Sequence, residues 1–193
     1  MPETPISLLE RLRIQPDSTS WRRFVDLYTP LLRDWLRRYA LPPSEVDDLV
    51  QEVLAVLVRE LPEFRHDLRR GAFRRWLRGV LVNRLRVYWR DQRTRPLPGI
   101  ASSEDVLGQL EDPASSLSRL WDEEHDRHVA HRLLELIAPE FAPVTWQAFK
   151  LLVLEERGTA EVASQLRISA NAARIAKSRV LSRLRQEMDG LID

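Results

Sequence analysis

The chain has 193 residues, of which 44% are apolar and 31% are charged, and its formal net charge is +1. This composition is typical of a globular protein of one domain or two small ones, and it argues against a disordered chain. The absence of cysteine excludes disulfides, thiolate metal sites and a cysteine nucleophile. The longest apolar run, residues 53–58, is too short to cross a bilayer. From these two observations we expect a cytoplasmic protein.

Apolar residues recur at steps of three and four in the first half of the chain, and they predict three amphipathic helices. The first covers residues 21–39, with Pro30 expected to break or kink it. The second covers residues 44–61, with Ser44 as its N-cap. The third covers residues 72–91 and has an apolar arc on one side and an arc of arginines on the other.

Charge is distributed unevenly along the sequence. Residues 64–95 contain 11 Arg and two Asp, whereas residues 96–128 contain eight acidic residues and two Arg. The acidic stretch also contains several Pro, Gly and Ser residues, so it is predicted to be a flexible linker over residues 96–127. The cationic stretch carries enough charge to bind a polyanion such as nucleic acid.

Four shorter helices are predicted in the C-terminal part, and no stretch shows the alternation of a β-strand. They cover residues 125–137, 143–155, 159–166 and 170–188. The last two helices are separated by three residues, the spacing of a helix-turn-helix motif, with Ser169 as the cap of the second helix. Such a helix fits the DNA major groove, where Arg pairs with guanine and Asn with adenine.

Two segments resemble one known family. Residues 47–95 contain DDLVQEV, FRRWL and VNRLR in that order and resemble region two of extracytoplasmic-function sigma factors. The C-terminal segment TAEVASQLRISANAARIAKSRVLSRLRQEM resembles region four of the same factors. Its ending, RIAKSRVLSRLR, is similar to that of sigma factors from planctomycete-type bacteria. The two motifs occur in the family's order, and the resemblance covers most of the chain.

The resemblance implies an all-α fold with two small helical domains joined by an acidic linker. Region two, a helical bundle, would occupy residues 1–95, the flexible linker residues 96–127, and the region four helix-turn-helix residues 128–193. The implied function is that of a sigma factor, which binds bacterial core RNA polymerase, recognises promoter DNA and melts it to start transcription. The chain itself would be no enzyme and need no cofactor, and a separate anti-sigma factor or other regulator is an expected partner.

The resemblance also implies three groups of functional residues. Core polymerase would be bound by the acidic helix, through Asp47, Asp48, Leu49, Gln51, Glu52 and Val53. The minus-ten element would be melted and held by Phe73, Arg74, Trp76, Arg78, Asn83, Arg84 and Arg90. The minus-thirty-five element would be bound by Ser169, Asn171, Arg174, Lys177, Ser178 and Arg179. In physical terms, the cations bind phosphates while a pocket accepts an unstacked base.

Two other functions remain open at this stage. The helix-turn-helix is also typical of a stand-alone transcriptional regulator, although that function leaves the acidic face and the Arg-rich helix without a role. A metal-dependent hydrolase is a more remote alternative, because Glu124, His125, His128 and His131 recur at helical spacing. That spacing is common by chance, and the sequence has neither a Gly-rich phosphate loop nor a G-x-S-x-G motif.

The chain departs from the family's pattern in the helix-turn-helix. Arg167 occupies a turn position that usually holds Gly. Because Gly tolerates left-handed backbone angles, Arg167 is expected to take a less permissive conformation or to change the turn. Ala172 and Ala173 replace a frequent Thr-Val pair, which reduces the buried contact of the second helix.

Overall fold

A computed structural model describes residues 7–14, 17–39, 41–64, 71–92 and 103–192. These residues contain nine α-helices and no β-strand, which confirms the predicted all-α class. None of these helices is both long and apolar enough to cross a membrane. In chain order they are α1 (Leu8–Ile14), α2 (Ser18–Leu36), α3 (Pro43–Glu60), α4 (Ala72–Gln92), α5 (Ser103–Glu111), α6 (Ser116–Ile137), α7 (Pro143–Phe149), α8 (Thr159–Leu166) and α9 (Ala170–Met188).

A break or a kink was expected at Pro30, and helix α2 continues through this residue without a break. Proline in a helix interior removes one backbone hydrogen bond and costs about 3 kcal/mol. The helix tolerates this cost because one face is buried on both sides of the proline, including Leu27, Tyr28 and Leu31. At its start, the Asp17 carboxylate accepts hydrogen bonds from the first-turn amides, as expected of an N-cap.

The start of α3 differs from the prediction by one residue. Pro42 is the N-cap and Pro43 the first helical residue, so Ser44 lies inside the first turn and makes no cap hydrogen bond. Proline suits this position because its fixed φ is already helical and the missing N–H would have no intrahelical partner. Helix α4 begins and ends within one residue of the prediction.

The region predicted as a flexible linker contains regular structure. Helix α5 lies entirely within residues 96–127, and α6 begins nine residues before the predicted start at His125. The Ser115 hydroxyl caps α6 by accepting from the amide of Ser118. Within α6, every fourth residue is buried, and this repeat was not recognised among the acidic residues. It consists of Trp121, His125, Val129, Leu133 and Ile137. Burial of this row explains why the segment is helical.

Helix α6 connects the two halves of the molecule. It packs against α2, α4 and α5 on one side and against α9 on the other. One buried apolar cluster therefore extends from α1 through α6 and also includes Phe149, Val180, Leu184 and Leu191 of the C-terminal half. A smaller cluster lies within the C-terminal half around Leu151 and Val162. The N-terminal bundle and the helix-turn-helix thus share a core in this conformation.

The helix-turn-helix forms with the predicted boundaries. Helix α8 ends at Leu166, and Arg167 follows with φ 54° and ψ 43°. This left-handed conformation is the first of the two alternatives expected there, a less permissive backbone or a changed turn. The turn is stabilised because the amide of Ile168 donates to the carbonyl of Ala163 at 3.0 Å. Ser169 caps α9 by accepting from the amide of Ala172. The sequence therefore predicted both the spacing and the strained position of this motif.

The chain's first and last helices meet around a buried carboxylate. Glu187 of α9 is 3% exposed and accepts hydrogen bonds from the backbone amide of Leu8 at 3.0 Å and from the guanidinium of Arg11. Arg183, one turn earlier on α9, donates to the same carboxylate and also to Glu140. Although burial lowers the pKa of Arg183, these two carboxylates raise it above its usual value. The cluster joins parts of the chain that are far apart in sequence.

Candidate nucleic-acid interface

The acidic residues predicted to bind polymerase lie on the outer face of α3. Asp47, Asp48, Gln51 and Glu52 are exposed, and Asp47 accepts from Arg33 Nε at 2.9 Å. Leu49 and Val53 are 3% and 0% exposed, so in this conformation their side chains belong to the core and face no partner. Helical periodicity explains the division, because these two residues are one turn apart on the opposite face. Their burial holds α3 against the core with its acidic face outward.

The aromatic residues predicted at the minus-ten site differ in exposure. Phe73 is fully buried and contacts Phe24, Tyr28 and Trp76, so it is a core residue here. Trp76 is half-buried and stacks on Phe64 with ring centroids 4.7 Å apart. Of the two, only Trp76 has a surface on which a base could stack.

Two of the predicted minus-ten arginines are held by α6. Arg74 Nη1 donates to Asp126 Oδ2 at 2.6 Å, and Arg74 Nε lies 3.5 Å from Asp122. Arg78 donates to Asp122 at 3.2 Å and to the carbonyl of Ser118 at 3.2 Å, and only 5% of it is exposed. Burial lowers the pKa of Arg78, and the Asp122 carboxylate opposes this shift. In this conformation the guanidinium groups of both arginines are engaged by α6, and their role at the minus-ten element stays a prediction.

The other three predicted minus-ten residues lie farther along α4. Asn83 is exposed and its side-chain oxygen accepts from Arg86, which also pairs with Glu111 of α5. Arg90 is exposed and lies 3.6 Å from Asp91. Arg84 is half-buried, and its Nε has no hydrogen-bond partner within the described residues. The exposed polar surface of α4 is therefore concentrated toward its C-terminal half.

The predicted recognition residues of the helix-turn-helix share one exposed face. Asn171, Arg174, Lys177, Ser178 and Arg179 are exposed along α9, while Ala173, Ala176 and Val180 are buried behind them. None of the three cations on this face forms an ion pair with another described residue. Ser169 acts as the cap, so its hydroxyl already binds the backbone of α9. The face has the charge and shape that suit a major groove.

The histidines considered for a metal site are engaged separately. Glu124 pairs with Arg38 at 2.7 Å, and His128 Nε2 lies 2.7 Å from the carbonyl oxygen of Leu27. His131 lies on the surface beside Glu135, and His125 is buried. Among the described residues, no group of three or more potential ligands is placed to hold a metal ion.

Buried His125 is held between α2, α4 and α6. Its Nε2 lies 3.4 Å from the Tyr28 hydroxyl and its Nδ1 3.0 Å from Asp126 Oδ1, and its ring packs on Tyr28 and Trp121. A neutral ring protonated at Nδ1 donates to Asp126 and accepts from Tyr28. Burial lowers the pKa of His125 below its ordinary value of 6.5, with Asp126 opposing the shift and Arg74 adding to it.

This lowered pKa predicts acid destabilisation. Below pH 6.5 the unfolded chain binds a proton at His125 that the folded chain does not, so the free energy of unfolding decreases by up to about 1.4 kcal/mol per pH unit. The test is denaturant unfolding at pH 7.5 and pH 5.5. Between these two pH values, the free energy of unfolding is expected to decrease less for His125→Gln than for the parent chain. The exposed-site variant His131→Gln is the control. A His125→Gln variant with the parent's full pH dependence would contradict this assignment.

The sequence did not predict that acidic residues of α6 contact the arginines of α4. The available signal was the pair Asp122 and Asp126, which is spaced one helical turn apart beside buried Trp121 and His125. The same spacing separates Arg74 and Arg78 on α4. The sequence shows each pair but does not show that the two helices lie side by side.

Comparison with known proteins found one family model that matches the N-terminal half of the chain. Residues 24–95, which include most of α2 and all of α3 and α4, match the family model of sigma-70 region 2. A search of curated proteins found no match. The match agrees with the acidic face of α3 and the cationic α4 described above. Residues 24–95 are thus similar to sigma-70 region 2.

Proposed function

We propose that the chain is a sigma factor of the extracytoplasmic-function subfamily, similar to those of planctomycete-type bacteria. It binds bacterial core RNA polymerase, directs it to promoters and helps to open the DNA, while polymerase performs the chemistry. One observation carries the proposal: the same chain has a sigma-70 region 2 match and an exposed face on α9 whose three cations form no ion pair with a described residue. The proposed units remain residues 1–95, 96–127 and 128–193, and the described residues 103–127 of the middle unit include α5 and the first half of α6.

Each surface has a distinct role in this proposal. The exposed acidic face around Asp48 on α3 binds a basic surface of core polymerase through charge complementarity. Trp76, Asn83 and Arg90 on α4 receive the minus-ten strand, with the tryptophan offering a stacking surface and the arginine a phosphate contact. On α9, Asn171 and Arg174 read base edges of the minus-thirty-five element.

A stand-alone regulator is the second candidate, favoured by the exposed recognition face of α9. It predicts tight duplex binding without polymerase. It gives no role to the acidic face of α3 or to the region 2 match. The two candidates therefore differ in one measurable property, which is affinity for core polymerase.

The first test is co-elution of the chain with purified bacterial core polymerase on a sizing column. Transcription from genomic fragments with and without the chain follows. A stable complex that starts transcripts at new positions supports the sigma-factor proposal and identifies promoters. Absence of a complex, together with tight binding to duplex DNA, favours the stand-alone regulator.

Two substitutions separate the proposed surfaces. Arg174→Ala is expected to weaken binding of the chain to a promoter duplex by about 5–150-fold, because one base-edge contact contributes about 1–3 kcal/mol, and to leave polymerase affinity unchanged. Asp48→Arg is expected to weaken polymerase binding and leave duplex binding unchanged. Matched controls are Arg119→Ala and Asp26→Arg, at exposed positions elsewhere on the helical surface. Equal losses in both assays for either variant would contradict this division.

A further inference from the structure

The contact between α4 and α6 pairs two arginines with two aspartates. Arg74 and Arg78 lie one turn apart on α4, and Asp122 and Asp126 lie one turn apart on α6. Arg74 pairs with both aspartates, and Arg78 pairs with Asp122. Carboxylate oxygens present to arginine the same charge and acceptor geometry as phosphate oxygens do. The α6 aspartates therefore occupy donors that would otherwise be available to a nucleic-acid backbone.

Aromatic packing holds this contact in place. Trp121, which immediately precedes Asp122 on α6, is fully buried, and the centroid of its ring lies 4.9 Å from that of Trp35. Its indole N–H donates to the backbone carbonyl of Arg74 at 3.3 Å. His125 stacks on Tyr28 on the same face of α6. The arginines are thus covered by a docked helix, which distinguishes them from arginines in mobile surface ion pairs.

Helix α6, whose first half covers the two arginines, also contacts the C-terminal half of the chain. Beyond His125, α6 continues with buried Val129, Leu133 and Ile137 and packs against α9. The short segment after α6 contributes Glu140, which pairs with Arg183 of α9. Moving α6 away from α4 therefore also disturbs the contact between the two halves.

We propose that the first half of α6 is an internal competitor for DNA. In the closed form described here, Asp122 and Asp126 hold Arg74 and Arg78, and single-stranded DNA reaches these arginines only when α6 moves away. This inference rests on the proposed function, since it takes α4 as a DNA-binding helix. If only a fraction of the molecules is open, the apparent dissociation constant for DNA increases by the inverse of that fraction. The free chain is thereby kept from binding nucleic acid at random.

The test compares variants of the full chain by fluorescence anisotropy with a short single-stranded DNA of mixed sequence. Asp122→Asn combined with Asp126→Asn removes both charges with little change in shape, and binding is expected to become about tenfold tighter. The matched control combines Glu123→Gln with Glu156→Gln, two exposed acids without a described ion pair, and changes net charge equally. The control is expected to tighten binding less than twofold.

Two further measurements make the result specific. Adding Arg74→Ala and Arg78→Ala to the aspartate variant is expected to abolish the gain, because the released arginines are its source. DNA binding by the parent chain is expected to increase hydrogen exchange of α6 amides. If circular dichroism shows that the double variant loses helicity, Asp126→Asn alone replaces it in the binding assay. In this single variant Asp122 is retained and can still pair with both arginines. The expected gain for this single variant is about threefold.

The outcomes for this proposal and for the proposed function are separable. Equal DNA affinity of the aspartate variant and its matched control overturns the competitor role of α6. The competitor role is also overturned if the gain in DNA affinity persists after Arg74 and Arg78 are replaced with alanine. Core-polymerase binding is measured in parallel on the parent chain, and failure of that binding alone overturns the sigma-factor function and leaves the α6 result intact.

Discussion

Replacing Trp121 with alanine is expected to lower the free energy of unfolding by about 3–5 kcal/mol. The side chain is fully buried, its ring packs against Trp35 at 4.9 Å, and its N–H donates to the carbonyl of Arg74. Alanine would leave a large cavity where α6 meets α2 and α4, and it would remove this hydrogen bond. The loss is large because both rings belong to the buried apolar cluster that extends from α1 through α6. The composition around Trp121 had predicted a linker instead.

Equilibrium denaturant unfolding, monitored by far-ultraviolet circular dichroism, measures this loss. The control is Leu120→Ala, the preceding residue on α6, which is 39% exposed and is expected to cost less than about 1 kcal/mol. Similar small losses for both variants would show that the first half of α6 is not docked in solution. That result would also weaken the competitor role proposed for Asp122 and Asp126.

Replacing Glu187 with alanine is expected to cost about 3 kcal/mol of stability. Removing one partner of a buried ion pair leaves the other charge uncompensated, which typically costs about 3–5 kcal/mol. The value here lies at the lower end because Arg183 keeps Glu140 and the Arg11 side chain is 23% exposed. The variant also leaves the backbone amide of Leu8 without its acceptor.

Two companion variants make this result informative. Glu187→Gln retains an acceptor for the Leu8 amide and is expected to lose less stability than the alanine variant. Glu140→Ala removes a more exposed partner of Arg183 and is expected to cost about 1 kcal/mol or less. If Glu187→Ala unfolded at the same denaturant concentration as the parent chain, the contact between α1 and α9 would not contribute to the folded state in solution.

Helix positions were predictable wherever apolar spacing was strong. The periodicity predicted α3 and α4 to within a few residues and α8 and α9 with their boundaries, because a repeat of three and four residues dictates which face is buried. At Arg167 the sequence predicted either a less permissive conformation or a changed turn, and the structure has the first of these, with φ 54°. Helix α5 and the first part of α6 escaped prediction because their few apolar residues lie among acids, serines and prolines. Their helical structure depends on neighbours elsewhere in the chain.

Positions of the candidate site residues were predictable only in part. Periodicity placed Asp48 on the outer face of α3 and Arg174 on that of α9, and both are exposed. It also placed Arg74 and Arg78 on a cationic arc, but both are covered by α6. Which surface is covered depends on packing between distant segments, and periodicity within one helix carries no information about that.

An all-α chain with an acidic helix face, an arginine-rich helix and a helix-turn-helix could be predicted from the amino-acid sequence, because these features follow from local spacing and charge. Which charged side chains pair with each other depends on how the helices pack. Arg78 pairs with a carboxylate 44 residues away, and Leu8 donates to one 179 residues away. Many acids in the chain could satisfy an arginine equally well, so the choice follows from burial of Trp121 and its neighbours, which brings α6 against α4. Hydrophobic packing thus selected the ion pairs, and through them the surfaces that remain exposed.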